Sequence, residues 1–308
     1  MGLSLSAAAG RRRLRKFGLD IALERCAAAR TTTIDRLFGH STRRGFVAMS
    51  ISLALCAPAG AETLRAYYAL SLMGLSIGSA SASGIVDPQN YRVEISMRTT
   101  GLANLINNTR GAASASGGLT LAGPSPASYA NTTSNSDETR TVRMSLAGNA
   151  VRTVDVRPAP WDAEARIPVT ESAKRHIVDP VSALIMRVPP GQELTGPSAC
   201  NRTISVFDGV TRFDVELAYA GDHTAQARGY AGPVTVCSAR YTPIAGHRPD
   251  SSSTRYMANN HDISVWLAPL PDAHVVVPIH IAIGTAAGKL VIEASEFEID
   301  QRRADTRR

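Results

Sequence analysis

A two-residue alternation of apolar and polar side chains recurs along this chain and restricts what it can fold into. It is clearest in residues 91–98, 141–146, 212–219, 263–267 and 274–283. Because successive side chains of a β-strand point to opposite faces, each stretch predicts a strand with one face on a core and the other nearer water. This pattern is typical of antiparallel sheets, since strands of parallel sheets read as continuous apolar runs.

Turn-forming residues separate these strands, and helix signals are scarce. Residues 87–90 suit a type I turn, and the Asp-Gly pair at 208–209 is typical of a hairpin. From the spacing of such turns we expect about ten to twelve strands. The helix candidates are residues 179–186, which begin with Asp and Pro, and residues 101–106. The predicted fold is all-β with one or two short helices. The sheet is expected to be strongly curved and antiparallel, or an open barrel, with the helices on its concave side.

The N-terminal part has the order of an export signal. Two arginines at 43–44 precede a short apolar run at 45–56, and residues 59–61 form an Ala-Gly-Ala cleavage sequence. The apolar run is too short and too rich in Ser and Gly for a comfortable membrane span, but an uncleaved N-terminal anchor stays open as an alternative. We therefore predict cleavage between Ala61 and Glu62 and a periplasmic location.

These features divide the sequence into three parts. Residues 1–61 form the leader, with a long n-region at 1–44, residues 62–300 form a single β-rich domain, and residues 301–308 form a disordered charged tail. Sec is the expected export route, because paired arginines are common ahead of apolar signal segments. The twin-arginine route and lipidation at Cys56 stay open as alternatives.

The charge distribution argues against a nucleic-acid partner. The chain has 33 Lys and Arg against 26 Asp and Glu, a formal net charge of +7. Ten of the basic and only three of the acidic residues lie in residues 1–61, so residues 62–308 carry 23 of each. A neutral body has no long-range field that attracts phosphates. We expect no nucleic-acid partner, and no stable transmembrane segment in the mature chain.

Two of the four cysteines lie in the predicted leader, and Cys200 and Cys237 remain after cleavage. An even number of cysteines in an oxidising compartment predicts a disulfide between them. The chain-entropy model gives such a bond about 3–4 kcal/mol of stabilisation. A metal pair or a redox pair stays open as an alternative, although the sequence offers neither Cys-x-x-Cys spacing nor a nearby His cluster.

Motif searches identify no catalytic or metal site. Residues 74–78 match the Gly-x-Ser-x-Gly pattern of serine hydrolases, but the small residues that follow predict a strand where that elbow needs a helix. We interpret this stretch as part of a hairpin. Zinc-protease, phosphate-loop and dinucleotide-binding motifs are absent from the sequence. We therefore predict no catalytic residues, no metal site and no cofactor.

One loop is a candidate for ligand binding. His247 and Arg248 stand between Gly246 and Pro249. An arginine in such a loop can bind a carboxylate or a phosphate. The alternative is a rigid turn whose polar groups cap neighbouring strands, and we favour it.

Several short runs between residue 65 and about residue 298 carry a family resemblance. They are ACNRT at 199–203, FDG at 207–209, GYAGP at 229–233, CSARY at 237–241, PIAGHRP at 243–249, VWLA at 265–268 and GKLVIEA at 288–294. Across them the chain resembles the exported proteobacterial family called domain of unknown function 3108. More distantly, it is similar to periplasmic lipoprotein carriers with a curved antiparallel sheet and a helical lid. The resemblance implies a fold but no site, because the family has no established activity.

We predict an exported, non-enzymatic β-protein that binds a lipid, an acyl chain or an envelope partner on an apolar concave face. Apolar sites need little sequence signature, because shape and area supply the affinity. Two alternatives stay open. One is a structural or interaction module of the cell envelope without a ligand, and the other is a hydrolase-type enzyme whose site residues are dispersed in the sequence. The oligomeric state has no signal in the sequence.

Overall fold

The computed structural model describes residues 61–101 and 108–302, with side chains up to residue 300. The leader predicted before Ala61, most of the helix candidate at 101–106 and the tail after residue 302 lie outside the described residues. In the described ranges, no helix is both long and apolar enough to cross a membrane.

The described residues form fourteen strands, in place of the smaller number predicted. The strands are β1 (Ala61–Leu72), β2 (Leu75–Val86), β3 (Asn90–Thr99), β4 (Arg110–Thr120), β5 (Gly123–Ser134), β6 (Thr139–Ala147), β7 (Ala150–Arg157), β8 (Met186–Arg187), β9 (Arg202–Phe207), β10 (Arg212–Ala227), β11 (Tyr230–Ala245), β12 (Ile263–Leu270), β13 (Val275–Thr285) and β14 (Gly288–Arg302). The helices are α1 (Pro197–Cys200), α2 (Ser252–Ala258) and short 3₁₀ helices at Ala163–Ala165, Ser172–Lys174 and Ser182–Leu184.

The strands form one open antiparallel sheet, which confirms the predicted all-β class. Its order is β7-β6-β5-β4-β3-β2-β1-β14-β13-β12-β11-β10-β9, and β8 pairs with β13 off this path. Every neighbour in this order is consecutive in the chain except β1 and β14, which pair along the whole of β1. That seam joins two meanders, the first formed by β1–β7 and the second by β9–β14. It also carries β14 to Arg302, beyond the predicted domain end, because the last two residues pair with Glu62 and Ala61.

Large and small side chains alternate across the inner face of the first meander. One row runs through Leu64, Gly84, Val93, Ala115, Tyr129 and Met144 on successive strands, and all six residues are buried. A Cβ on Gly84 would lie 2.9 Å from Val93 Cγ2, so the large side chains fill the space that glycine leaves.

The protein's own chain covers this inner face. The core cluster that contains the row also contains Ile177, Val181 and Ile185 from the connector, which we define as residues 158–201 between β7 and β9. The cluster also contains residues of the β12–β13 hairpin and of the strands next to it. The apolar face on which the sequence predicts a ligand is therefore packed, at its described positions, against the protein itself.

A second core cluster surrounds the disulfide. The sulfurs of Cys200 and Cys237 are bonded, with their Cα atoms 5.6 Å apart, and the two residues are 37 positions apart in sequence. Both residues are fully buried, together with Leu217, Leu267 and Val276. The disulfide thus fixes α1 to β11 inside a packed region.

The helix predicted at 179–186 is reduced to one 3₁₀ turn, Ser182–Leu184. Asp179 does cap this turn, since its Oδ1 accepts hydrogen bonds from the backbone N–H groups of Val181 and Ser182 at 3.0 and 2.9 Å. The chain then leaves the helical conformation because the residues of β8 pair with β13. Tertiary pairing here overrides a local helix signal.

The connector also bridges the two edges of the sheet. Arg175 pairs with Ala150 at the start of β7, and Val178 forms a parallel bridge with Val206 of β9. The Val178 N–H donates to the carbonyl of Ser205 at 2.9 Å. Because unpaired edge strands are templates for aggregation, a single short segment protects both edges near this point.

Candidate functional site

Three turns of the first meander meet at one end of the sheet, because antiparallel strands alternate in direction. They join β2 to β3, β4 to β5, and β6 to β7. The Leu119 N–H donates to the Gln89 carbonyl at 2.6 Å and ties the first turn to the second. The third contains Gly148 and Asn149, both with positive φ, as a type I′ hairpin requires. Asn149 Nδ2 donates to the Pro124 carbonyl at 2.9 Å.

The connector crosses this end of the sheet and binds to the turns. The Ile177 N–H donates to the Asn149 carbonyl at 2.9 Å. Arg187 Nη1 donates to the Pro88 carbonyl at 3.2 Å. The connector, the β4–β5 and β6–β7 turns and the start of β9 therefore form the walls of one space, and the β2–β3 turn supports it from behind.

That space is a cleft of about 660 Å³, a size typical of small-molecule sites. More than half of its lining residues are apolar, including Leu121, Pro124, Ile177, Val178, Ile185, Met186 and Ile204. Leu121, at the tip of the β4–β5 turn, is 71% exposed, whereas Ile185 is buried. A large apolar side chain at the entrance and others inside suit an apolar ligand.

The charged groups that line the cleft are of one sign. Arg187 and Arg202 line it, and none of its described lining residues is Asp or Glu. Neither arginine forms a salt bridge with a carboxylate in the described part of the chain.

Arg202 bonds backbone carbonyls instead of an acid. Its Nη1 and Nη2 donate to the carbonyls of Arg187 and Ser198, both at 2.7 Å, and its Nε donates to that of Cys200 at 3.2 Å. Burial lowers the pKa of Arg202, because desolvation disfavours the charged guanidinium. The side chain therefore fixes β8 and α1 relative to β9 and leaves a positive charge at the cleft.

A buried hydrogen-bonded network anchors the connector to the inner face. The hydroxyls of Tyr91 and Ser182 lie 2.6 Å apart, and Ser182 Oγ donates to Asp179 Oδ2 at 2.5 Å. Burial raises the pKa of Asp179 and of Tyr91. None of the three side chains lines the cleft, but the neighbouring Ala183 and Ile185 do. The network therefore positions one wall of the cleft.

The disulfide supports another part of the lining. Cys200 stands between Ser198 and Asn201, which both line the cleft. Because Cys200 is bonded to Cys237 in β11, α1 is fixed by a covalent bond as well as by packing.

The predicted binding loop lies elsewhere. His247 and Arg248 do not line the cleft. The His247 carbonyl accepts a hydrogen bond from the Ile167 N–H at 2.9 Å, and Arg248 Nε and Nη2 donate to the Asp250 carboxylate at 3.1 and 2.8 Å. A Cβ on Gly246 would overlap the backbone of Val210 in the β9–β10 turn. These contacts favour the rigid-turn alternative.

The hydrolase-like pattern also falls in a strand. Ser76 lies in β2, opposite Ser71 of β1, and not at a turn between a strand and a helix. Across the described ranges, no three His, Cys, Asp or Glu side chains are grouped so that they could hold a metal ion.

The fold and the cleft define a class of protein: an all-β protein with an open antiparallel sheet and an apolar, positively charged cleft at one end. Residues 64–295 match the sequence profile described as "Protein of unknown function (DUF3108)". The chain belongs to this family, which confirms the resemblance seen in its sequence.

No curated protein matches the chain. One similar solved structure is a beta-barrel-like protein of domain of unknown function DUF1849 from Brucella abortus, with a TM-score of 0.38 and 8% identity over 78% of this chain and 98% of that chain. Another is MucB in complex with MucA(peri), with a TM-score of 0.12 and 12% identity over 79% of this chain and 94% of that chain. The expected relation to lipoprotein carriers stays a prediction.

Sequence reasoning missed Arg187 and Arg202 as site residues. Arg202 stands in the ACNRT run that carries the family resemblance, and Arg187 directly follows the stretch predicted as a helix. The partners of both arginines are backbone carbonyls, which any residue supplies, so no sequence pattern identifies them.

Proposed function

We propose that this protein is exported to the periplasm and binds the acyl chain of a lipid, without catalysing a reaction. The acyl chain is placed in the cleft at the turn end of the first meander. The observation that carries the proposal is the cleft itself, with an exposed Leu121 at its entrance and buried Ile185 inside. We further propose that the leader is removed between Ala61 and Glu62 and that residues 62–300 act as one domain.

Packing determines where the acyl chain would bind. The inner face of the first meander is covered by the connector and the β12–β13 hairpin, so a ligand there would have to displace core side chains. The cleft is already open and needs no such displacement. The proposed site is therefore at the end of the predicted apolar face and not along it.

Two features support the compartment. The Cys200–Cys237 disulfide suits an oxidising environment. The apolar run and the Ala-Gly-Ala sequence before Glu62 fit an export signal.

One observation favours a second candidate function, an envelope interaction module without a ligand. Trp161 in the connector is 85% exposed, and tryptophan is enriched at protein interfaces. A hydrolase-type site lacks comparable support, because the described lining of the cleft includes neither a carboxylate nor His247 and Arg248.

The acyl site is tested with N-phenyl-1-naphthylamine, an uncharged apolar probe that fluoresces when it leaves water. The mature protein should bind it, and Leu121→Ser should weaken binding by about fivefold. Leu75→Ser is the matched control, because Leu75 is 68% exposed in the hairpin at the other end of the sheet. A wild-type protein that does not bind the probe refutes the acyl site, and capture of a protein partner by a protein free of bound lipid supports the interaction module.

Export is tested by the mass of the protein recovered from the periplasmic fraction. A species that begins at Glu62 is expected. A species that retains residues 40–60 would establish the uncleaved anchor.

A further inference from the structure

We propose that the cleft selects an acyl ligand with an anionic head group, a carboxylate or a phosphate, and that Arg187 binds this group. This inference rests on the proposed acyl site. It adds the chemical class of the ligand, which the apolar lining alone does not determine.

The first support is the charge of the cleft. Two guanidinium groups line it without a carboxylate among the described lining residues. Two other partly buried arginines of the described chain do have such partners: Arg166 contacts Asp162 at 2.8 Å, and Arg212 contacts Asp214 at 2.7 Å. Positive charge without a counter-charge in a partly buried site favours an anionic ligand.

The second support is the hydrogen bonding of Arg187. Nη1 bonds the Pro88 carbonyl, and the buried Nε has no hydrogen-bond partner. A buried N–H without a partner is costly, and a ligand oxygen that accepts from it removes the cost. The flat fork of a guanidinium matches two oxygens of a carboxylate or phosphate.

The third support is that Arg187 is held in place. Arg202 Nη1 bonds its carbonyl oxygen at 2.7 Å, and its backbone pairs with Val275 in β13. A residue whose backbone is fixed on two sides loses little freedom when it binds a ligand. Arg202 therefore contributes charge and positions Arg187, and its own donors are largely used by carbonyls.

The last support is the apolar surface beside Arg187. Its partner Pro88 lies in the β2–β3 turn, which is bonded through Gln89 to the end of β4. The next residue after β4 is Leu121, the exposed apolar residue at the cleft entrance. A head group on Arg187 would thus leave the acyl chain next to an apolar wall.

The test compares ligands that share a dodecyl-length chain and differ in charge. Dodecanoate, dodecyl phosphate and the methyl ester of dodecanoate each compete with the bound naphthylamine probe, and inorganic phosphate is measured alone. We expect at least one anionic ligand to bind about tenfold more tightly than the ester. The tighter of the two anions identifies the head group.

The variant test uses Arg187→Gln, which should weaken the preferred anion by about tenfold and leave the ester unchanged. Arg187→Lys should restore part of the loss, and Arg65→Gln, at an exposed position on β1 outside the cleft, should change nothing. Thermal melting shows whether each variant is folded. If Arg187→Gln does not fold, the comparison of anionic ligands with the ester on the wild-type protein still tests the proposal.

The outcomes separate the two proposals. Equal affinity for anion and ester in the wild type, with no effect of Arg187→Gln, overturns the anionic head group and leaves the acyl site intact. No binding of any dodecyl compound refutes the acyl site. Inorganic phosphate that binds as tightly as dodecyl phosphate also refutes it, because the chain then contributes nothing.

Discussion

The carboxylate of Asp208 organises the turn between β9 and β10. Its Oδ1 accepts hydrogen bonds from the backbone N–H groups of Val210 and Thr211 at 2.8 and 2.6 Å. Burial raises the pKa of Asp208 above its ordinary 3.8, although these two bonds act in the opposite direction. The folded protein therefore holds this proton to a higher pH than the unfolded chain does.

That difference predicts how Asp208→Asn changes stability with pH. Asparagine keeps an acceptor oxygen for both N–H groups and carries no charge. The stabilisation from protonated Asp208 is full below the unfolded pKa and is lost as the pH rises through the folded pKa. The free energy of unfolding of the variant, relative to wild type, should therefore be higher at about pH 7 than at about pH 4. Urea titrations at both pH values measure it, and a pH-independent difference contradicts the prediction.

The position of the next residue, Gly209, requires glycine for two reasons. Its φ is 102°, and a Cβ would overlap Cγ1 of Val142 on β6. Gly209→Ala should lower the free energy of unfolding by about 2–4 kcal/mol, as strain and steric overlap add. Gly191→Ala is the matched control, because Gly191 has a φ of 79° and open space around it. Equal losses in the two variants would show that contact with Val142 contributes nothing.

At the scale of elements, the sequence predicts what depends on neighbours along the chain. Alternation places the strands around residues 91–98 and 274–283 correctly, although β13 is buried on both faces at its start, with Val275 in the first core cluster and Val276 in the second. The Asp-Pro start signal wrongly predicts a helix over 179–186, where pairing of β8 with β13 decides the conformation. The pairing of β1 with β14 joins residues from the two ends of the described chain. A local sequence pattern cannot predict a pairing between strands so far apart in sequence.

The cleft was not predictable for the same reason. Its walls come from two turns, the connector and β9, and side chain to backbone bonds such as Asn149 to Pro124 hold them together. The cysteine pair was predictable, because cysteine number and compartment constrain it without knowledge of the fold.

The disulfide should contribute a measurable part of the stability. Replacement of Cys200 and Cys237 together by alanine should lower the free energy of unfolding by about 3–4 kcal/mol, because the unfolded chain gains the freedom of an open loop. Denaturant titration with and without a reducing agent checks this. The reducing agent should destabilise the wild type and leave the double variant unchanged. Insensitivity of the wild type to reduction would contradict the expected role of the bond.

The loop around His247 permits a direct choice between its two interpretations. Since the Arg248 side chain bonds Asp250 and its Nη1 lies 3.9 Å from Asp162, the double substitution to alanine should lower the melting temperature and leave probe binding at the cleft unchanged. The backbone bond between His247 and Ile167 is kept in this variant. Calorimetry and the naphthylamine titration provide the two readings. An unchanged melting temperature with loss of ligand binding would favour the binding loop instead.

At the scale of the whole described chain, an open sheet leaves two edges, β7 and β9, that need protection. Residues 175–178 contact both, since Arg175 pairs with Ala150 and Val178 with Val206. The same segment lines the cleft through Ile177 and Val178. Edge protection and the proposed binding site therefore depend on one piece of the connector.

Val178→Pro tests this dependence. Proline removes the N–H that bonds the Ser205 carbonyl, so the free energy of unfolding should fall by about 2–4 kcal/mol and the edge of β9 should become free to pair with another molecule. Light scattering should then show concentration-dependent association, and the naphthylamine probe should bind more weakly. Glu171→Pro is the control, because its φ of −64° already suits proline in the same connector. If Val178→Pro associates no more than Glu171→Pro and binds the probe as well as that control does, edge protection and the cleft are independent of this segment.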